Sequence, residues 1–272
     1  MRILKLAVVV MAVIVAIASV KVFIANIGAD IGPTIHCSVE GNIETPTATT
    51  DAELLKLVTA SDEQDGDLTA DIQIVRKNYF VSDKTSVITY SVCDSDNNVC
   101  TLQKNIVYTD YTSPRFSFKS DFIFQTGSHV GELSSFVMAY DMFDGDVSSY
   151  VKLISAGFTS VKGQYPINIK VSNDMGDTEE ITINAIVTNS YSNNIRINLS
   201  KYLIYYDGNP NIDWKSYIDG VSGTENYDVK DVEIDTTDLD LTKPGVRNVY
   251  FKLMDGNRVI TYTRIFVVVK EV

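Results

Sequence analysis

The chain has 272 residues, and 35 acidic against 23 basic side chains give a formal net charge of -12. A nucleic-acid partner is not expected at this charge, because phosphate contacts need a basic face. Apolar residues come in short alternating runs rich in Tyr, Val, Ile and Thr, which is typical of β-strands. The composition predicts an all-β protein, long enough for several small modules that each bury a core.

The N-terminal residues predict a membrane segment. Arg2 and Lys5 precede an almost continuous apolar stretch over 6–27, which approaches the roughly 20 residues that cross a bilayer as a helix. A cleaved signal peptide with its cleavage site at 16–18 fits the same stretch. We favour a retained signal-anchor because the apolar sequence continues past Ala18. Either way the positive-inside rule leaves the basic residues in the cytoplasm. We therefore predict a single-pass protein of the cell membrane with extracellular C-terminal domains.

One acidic stretch occurs twice. Asp-Glu-Gln-Asp-Gly-Asp-Leu at 62–68 returns as Asp-Met-Phe-Asp-Gly-Asp-Val at 141–147, and the spacing of about 80 residues suits a small β module. A strand that ends in a polar turn follows each copy, at 88–94 and 167–173, and a third such strand lies at 249–257. The repeat predicts a cytoplasmic stub and signal-anchor helix (1–28), two modules (29–111 and 112–190) and a divergent third module (191–272).

Each predicted module ends in two alternating runs that flank a turn, the pattern of a β-hairpin. In the third module the turn at 255–257 contains Asp-Gly, which is a strong hairpin signal. A linker with a module boundary near Tyr111 is expected, because Pro114 cannot donate to a strand ladder. The alternation predicts these core positions: Ile88, Tyr90, Val92, Ile167, Ile169, Val171, Ile181, Ile183, Ala185 and Val187.

These landmarks resemble a known family. The order is an Asp, then Asp-Gly-Asp before an apolar residue, then a strand ending in Asp or Asn, then a closing strand. This order is similar to the Ig-like repeats of Gram-positive surface proteins, which are related to hyalin-type repeats. The resemblance implies a tandem array of three immunoglobulin-like β-sandwiches after an N-terminal transmembrane helix. It further implies a spacer, adhesive or structural role at the cell surface.

The repeated carboxylates are candidate calcium ligands, because Ca²⁺ prefers six to eight oxygen ligands. The same Asp-Gly-Asp pattern also suits a tight turn, in which Gly supplies positive φ and Asp side chains cap the backbone. Both interpretations stay open, and apart from calcium no cofactor is expected. The candidate ligands are Asp62, Asp65, Asp67 and Asp94 in the first module and Asp141, Asp144 and Asp146 in the second.

Two cysteines flank the turn of the first predicted hairpin. In an oxidising exterior, Cys93 and Cys100 in these positions predict a disulfide. A directly opposed pair would move Leu102 off the face that carries Tyr90, so the bridge requires a bulge or a diagonal pairing. The alternative is two reduced, half-buried thiols, and Cys37 has no expected partner.

Catalysis is not expected from this sequence. Its two histidines, His36 and His129, lie in no recognisable arrangement with a nucleophilic Ser or Cys. The paired carboxylates lie in turns, where water would keep them from working as a desolvated acid and base. We therefore predict a protein that binds a partner or has a structural role, and that is not an enzyme.

The third module concentrates aromatic residues. Tyr205, Tyr206, Trp214 and Tyr217 alternate with Asp and Asn, and such rings either stack on sugars or anchor a core or an interface. A structural or adhesive surface array is the main hypothesis, with a surface protein or glycan as the unidentified partner. The alternative is a carbohydrate-binding envelope protein that uses the third module. An accessory subunit with a partner inside the membrane is a weaker third hypothesis.

Overall fold

The structure is a computed structural model that describes residues 32–82, 84–127, 132–155, 157–189 and 194–270, together with Met11, Ile14 and Val15. The predicted signal-anchor lies outside the described residues except at those three positions, and His129 lies outside them too. Within the described part of the chain, no helix has the length and apolar character needed to cross a membrane.

The chain forms two compact units. Residues Met1–Asn78 and Thr85–Val107 make the first, and Tyr79–Lys84 with Tyr108–Val272 make the second. The architecture is nearly all β, as expected, and it consists of sheets that suit β-sandwich domains. The predicted count of three modules stays a prediction.

The first unit contains a three-stranded and a four-stranded sheet, in the orders β1-β3-β4 and β2-β7-β6-β5. Its elements are β1 (Thr34–Cys37), β2 (Ile43–Thr45), the helix α1 (Asp51–Leu55), β3 (Val58–Asp62), β4 (Gly66–Asp67), a 3₁₀ turn (Thr69–Asp71), β5 (Gln73–Lys77), β6 (Thr85–Cys93) and β7 (Val99–Tyr108). Thr50 and Glu53 form a capping box that begins α1, which satisfies backbone N–H groups that a helix start leaves free.

The second unit begins with a pair of sheets built in the same order. Its elements are β8 (Arg115–Phe118), β9 (Ile123–Gln125), a 3₁₀ turn (Leu133–Phe136), β10 (Val137–Asp141), β11 (Gly145–Asp146), a 3₁₀ turn (Ser148–Tyr150), β12 (Lys152–Ser155), β13 (Gly163–Ser172) and β14 (Thr178–Thr188). The sheets are β11-β10-β8 and β12-β13-β14-β9. We call them the proximal pair.

A further pair of sheets, the distal pair, completes the second unit. Its elements are β15 (Arg196–Leu199), β16 (Leu203–Tyr205), a 3₁₀ turn (Trp214–Tyr217), β17 (Ile218–Ser222), a 3₁₀ turn (Val229–Asp231), β18 (Val232–Asp235), β19 (Gly245–Asp255) and β20 (Arg258–Val269). The sheets are β15-β17 and β16-β20-β19-β18. β16 runs parallel to β20, as β9 does to β14 in the proximal pair.

Strand β20 is buried on both faces. Ile265 and Val267 lie in the core of the distal pair, whereas Phe266 and Val268 lie in the core of the proximal pair. Successive side chains of a strand point to opposite faces, so one strand serves two cores. The Phe266 ring lies 5.4 Å from the Phe118 ring between centroids, in an edge-to-face contact. This shared strand explains why the two pairs form one compact unit.

The long hairpins follow the predicted alternation. Each of the ten core positions predicted from the first two modules is at most 6% exposed. In the distal pair the register sets Asp255 opposite Arg258, and Gly256 adopts a φ of 58° in the turn. The predicted linker differs from expectation in one respect. Tyr111 lies in an irregular segment, yet it is only 2% exposed.

Candidate functional site

The two acidic turns have the same internal geometry. Asp62 Oδ1 accepts hydrogen bonds from the N–H groups of Gln64 (2.7 Å) and Asp65 (3.0 Å). Asp141 Oδ1 accepts from the N–H groups of Phe143 (2.8 Å) and Asp144 (3.1 Å). In each copy the leading aspartate therefore caps its own turn, which is the local role that Asx turns give this residue type.

The remaining residues of the motif also serve the backbone. Asp67 accepts from the N–H of Thr69, and Asp146 accepts from the N–H of Ser148, both at 2.9 Å. Gly66 adopts a φ of 78°, a left-handed conformation in which a side chain would be strained. The Asp-Gly-Asp pattern is thus required by the turn itself.

The second aspartate of each turn, Asp65 or Asp144, joins the turn to the long hairpin, and we call this contact the interloop clip. Asp65 accepts from both the N–H (2.8 Å) and the hydroxyl (2.9 Å) of Ser95. Asp144 accepts from the N–H of Asp174 at 2.6 Å. The bonds from Ser95 lower the pKa of Asp65 below its usual value. A contact between turns 30 residues apart therefore repeats in both copies, which sequence spacing alone did not predict.

The other motif position caps its hairpin in both copies, since Asn173 Oδ1 also accepts from the N–H of Asp177 at 2.8 Å, and it makes further contacts in the second copy. Asp94 accepts from the backbone and side-chain nitrogens of Asn98, so it caps its own hairpin. Its counterpart Asn173 donates to Asp141 Oδ2 (3.0 Å) and to the Tyr111 hydroxyl (2.8 Å). Burial, followed by the nearby Asp177 carboxylate, raises the pKa of Tyr111. Asn173 thereby ties the segment before β8 to the acidic turn.

Calcium ligation stays a prediction. Among the described residues no group of three or more His, Cys, Asp or Glu side chains is arranged to hold a metal ion. The candidate carboxylates instead accept hydrogen bonds from backbone N–H groups, as the turns and the clip show. This geometry supports turn chemistry as their role.

The predicted disulfide is not formed in the structure, where Cys37, Cys93 and Cys100 are free thiols. The register of β6 and β7 sets Cys93 opposite Val99 and Val92 opposite Cys100. Directly opposed residues share a face, and neighbours along a strand point to opposite faces. Cys93 and Cys100 therefore leave opposite faces of the sheet. The same register places Leu102 opposite Tyr90, so the hydrophobic pattern decides the pairing.

A buried arginine lies between the two pairs of sheets in the second unit. Arg264 on β20 is 1% exposed. Its Nε donates to the carbonyl of Asp121 at 2.9 Å, and Nη2 donates to the carbonyls of Phe122 and Asn184. Its guanidinium carbon lies 4.3 Å from the centroid of the Phe266 ring. Three carbonyl groups of the proximal pair thus satisfy a charge carried by the distal pair.

Asp121 also takes part in this contact between the proximal and distal pairs, which we call the junction. Its carboxylate accepts from the Thr263 hydroxyl at 2.8 Å and from the N–H of Ile123 at 3.0 Å. Burial raises the pKa of Asp121, despite the hydrogen bond from Thr263 and the nearby Arg264 charge. Neither Asp121 nor Arg264 was among the sequence candidates, because nothing local marks an Arg inside a strand as buried.

Tyr205 forms a second polar link between the pairs. Its hydroxyl accepts from the N–H of Phe116 at 2.9 Å, and burial, followed by the Glu179 carboxylate, raises its pKa. Glu179 is 6% exposed and pairs with Lys270 at 2.7 Å. Tyr205 was predicted as a ligand contact, and the structure places much of it in the junction.

The predicted aromatic group is divided between two places. Tyr206 and Tyr217 are half-buried and line an open cleft of about 440 Å³, together with Tyr205. Trp214 packs on the core of the distal pair, with its ring centroid 6.1 Å from that of Tyr217. It is absent from the described residues that line the cleft. Trp214 is therefore placed as a support for Tyr217.

Polar groups face these rings across the cleft. The lining includes Arg115 of the proximal pair and Lys201, Asn209, Asn211 and Asp213 of the distal pair. Aromatic faces beside amides and charged groups suit a ligand that has apolar faces and many hydroxyls, such as a sugar. The cleft therefore combines rings and polar groups that suit a small polar ligand.

Comparison with known sequences gives a partial match. The chain is 27% identical over 205 residues to the pesticidal crystal protein Cry22Aa of Bacillus thuringiensis. The match covers 72% of this chain and 27% of that protein, so the chain spans about a quarter of the relative's length. No family model matches the chain. Membership of the Ig-like surface-repeat family therefore stays a prediction.

Among solved structures the chain is similar to the CBM51-2 and INT domains of Clostridium perfringens ZmpB, in complex with GlcNAc (17% identity, TM-score 0.23, covering 87% of this chain and 41% of that one). It is also similar to the lipoprotein BT2262 of Bacteroides thetaiotaomicron (12% identity, TM-score 0.22, covering 86% and 98%). The extracellular domain of protocadherin GammaB4 matches at 11% identity and a TM-score of 0.20, covering 89% and 50%. TM-scores this low carry no argument about the present chain.

The interloop clip can be tested by Asp65→Asn, which removes one of the two oxygens that accept from Ser95. Because the pKa of Asp65 is lowered in the fold, its contribution to stability is complete above the unfolded pKa near 4. The contribution is lost as the pH falls through the folded value. We expect the variant to be less stable than wild type at neutral pH, with the difference disappearing in acid.

Urea unfolding of the full chain between about pH 7 and pH 2 measures this difference. Glu63→Gln is the matched control, since it removes the same charge from an exposed neighbour that has no hydrogen bond in the described residues. An equal loss in both variants at neutral pH would contradict the clip.

The junction can be tested by Arg264→Ala, which leaves the buried carbonyl groups of Asp121, Phe122 and Asn184 without their donor and removes the positive charge near the Asp121 carboxylate. We expect a loss of about 3–5 kcal/mol in the free energy of unfolding. Fluorescence of Trp214 reports on this unit alone, because it is the only tryptophan of the chain. Arg258→Ala, at the exposed start of the same strand, should change stability by less than about 0.5 kcal/mol. A loss as small in Arg264→Ala would show that the junction contributes little.

Proposed function

We propose that the chain is an extracellular array of three Ig-like β-sandwich modules with a structural or adhesive role at the bacterial cell surface. In this proposal the N-terminal segment holds the array as a single-pass signal-anchor. One observation carries it: the second unit joins two pairs of sheets through the shared strand β20 and the buried Arg264. Domains joined by short linkers normally move against each other unless their interface is large and apolar. A stiff junction suits a spacer that must keep its length.

Further support comes from the repeated construction. The order of the four-stranded sheet recurs in all three pairs of sheets. The three-stranded sheet and the interloop clip recur in two of them. The resemblance to Ig-like surface repeats points in the same direction. The Bacillus relative is several times longer than the matched part, which agrees with a module that occurs in proteins of different size. These points support a structural module that acts through its shape.

The extracellular location can be tested with the exposed thiol of Cys93. We expect a membrane-impermeant maleimide to label intact Gram-positive host cells that express the full chain. Cys93→Ser should remove most of the label, whereas Cys37→Ser, the matched control, should retain it because Cys37 is partly buried. Labelling that appears only after the cells are lysed would contradict export of this part of the chain.

Carbohydrate binding through the cleft is the second candidate function. The observation that favours it is the combination of Tyr206 and Tyr217 with the amide groups of Asn209 and Asn211 in one open cleft. Aromatic rings contact the apolar face of a sugar, and amides bind its hydroxyl groups. In this proposal the distal pair is the adhesive part of the array.

A glycan array probed with the full chain, followed by calorimetry, measures this activity. We expect Tyr206→Ala to weaken binding about tenfold, which corresponds to the loss of one ring contact. Tyr150→Ala removes an exposed ring of the proximal pair that lies outside the cleft, so it should leave the affinity unchanged. Equal affinities of both variants and wild type would exclude the cleft as the binding site.

A further inference from the structure

We propose that the cleft binds an anionic saccharide, a sugar that carries a carboxylate or phosphate group, with Arg115 as the residue that contacts the charged group. This inference rests on the second candidate function, carbohydrate binding, and specifies its ligand. It also makes the site composite, because Arg115 belongs to the proximal pair whereas the tyrosines belong to the distal pair.

The two cations that line the cleft are available to an anionic ligand. Within the described residues, Arg115 and Lys201 take part in no ion pair. Both are exposed and line the cleft.

Arg115 is oriented by the Tyr205 ring, which is itself bonded to the proximal pair. Its guanidinium carbon lies 5.1 Å from the centroid of the Tyr205 ring. The Tyr205 hydroxyl accepts from the N–H of Phe116, the next residue along β8. Lys270 Nζ lies 5.6 Å from the centroid of the same ring and pairs with the buried Glu179. Stacking on an aromatic ring orients a guanidinium and leaves its N–H groups free to bind an oxyanion in a fork.

The acidic groups of the cleft cap their own turns. Asp207 Oδ1 accepts from the N–H of Asn209 at 3.0 Å, and Asp213 Oδ1 accepts from the N–H of Lys215 at 3.2 Å. A second oxygen of each carboxylate stays available for sugar hydroxyls. The cleft thus offers a cation for an acid group, two tyrosine rings for a sugar face, and acceptors for hydroxyls.

Calorimetry with the full chain tests this proposal, using an oligogalacturonate and its fully methyl-esterified form as a charged and neutral pair. We expect the acid form to bind at least tenfold more tightly than the ester, with an affinity that falls as salt is added. Glucose 1-phosphate against glucose forms a second pair, which distinguishes phosphate from carboxylate as the group that is bound. Preference for the charged member of either pair supports the proposal.

Variants assign the preference to Arg115. We expect Arg115→Ala to remove the preference for the acid form, so that the acid and the ester bind with equal affinity. Arg115→Lys should restore part of it, because an ammonium keeps the charge without the fork. Arg258→Ala, an exposed arginine outside the cleft, should behave as wild type.

Two results would overturn the inference, and they are distinguishable. Equal binding of acid and ester that Tyr206→Ala weakens would remove the anion contact and leave carbohydrate binding intact. No binding of any of these saccharides, or of any glycan on the array, would overturn both.

Discussion

One buried arginine, Arg264, holds the two pairs of sheets of the second unit together. A guanidinium out of water is very unfavourable unless its N–H groups find acceptors. Arg264 finds them in backbone carbonyls at Asp121, Phe122 and Asn184. These carbonyls belong to the proximal pair of sheets and the arginine to the distal pair. Separating the pairs would leave all of these groups unsatisfied, or would require water to enter an apolar core. The two pairs therefore stay together because separating them would cost the free energy of leaving these groups without hydrogen bonds.

The candidate binding cleft depends on the same constraint. Arg115 reaches the cleft from the proximal pair, and the tyrosines reach it from the distal pair. If the pairs moved freely, the distance between cation and rings would vary, and binding would have to include the free energy of ordering them. The Tyr205 hydroxyl and the ion pair of Glu179 with Lys270 add a second polar link beside the cleft. Stiffness and recognition thus have a common origin in this part of the molecule.

Alternation predicted the long hairpins well, because one face of each strand is buried and the other meets water. The pattern of apolar residues also gave a signal for the junction. Ile-Phe-Val-Val-Val at 265–269 is apolar without alternation, which is typical of a strand buried on both faces. Arg264 itself could not have been recognised, since its acceptors come from residues about 80 and 140 positions away along the chain.

The disulfide prediction was wrong, whereas the positions of the acidic turns were predicted correctly. The expected Cys93–Cys100 bridge rested on sequence proximity, whereas the register follows the packing of Leu102 against Tyr90. A shift of one residue moves every side chain to the other face of a sheet, so the hydrophobic pattern outweighs one disulfide. The acidic turns were located correctly from their repeat. Their link to the hairpins through Asp65 and Asp144 needed the tertiary structure, because it connects turns that are separate in sequence.

The central claim is that the two pairs of sheets in the second unit behave as one body. Stretching single molecules of the full chain tests this directly, since each cooperative unit releases its contour length in one step. The account predicts one step of roughly 50–60 nm for the second unit, at about 0.36 nm per residue. Two separate steps of roughly 25–30 nm each, in addition to that of the first unit, would contradict it.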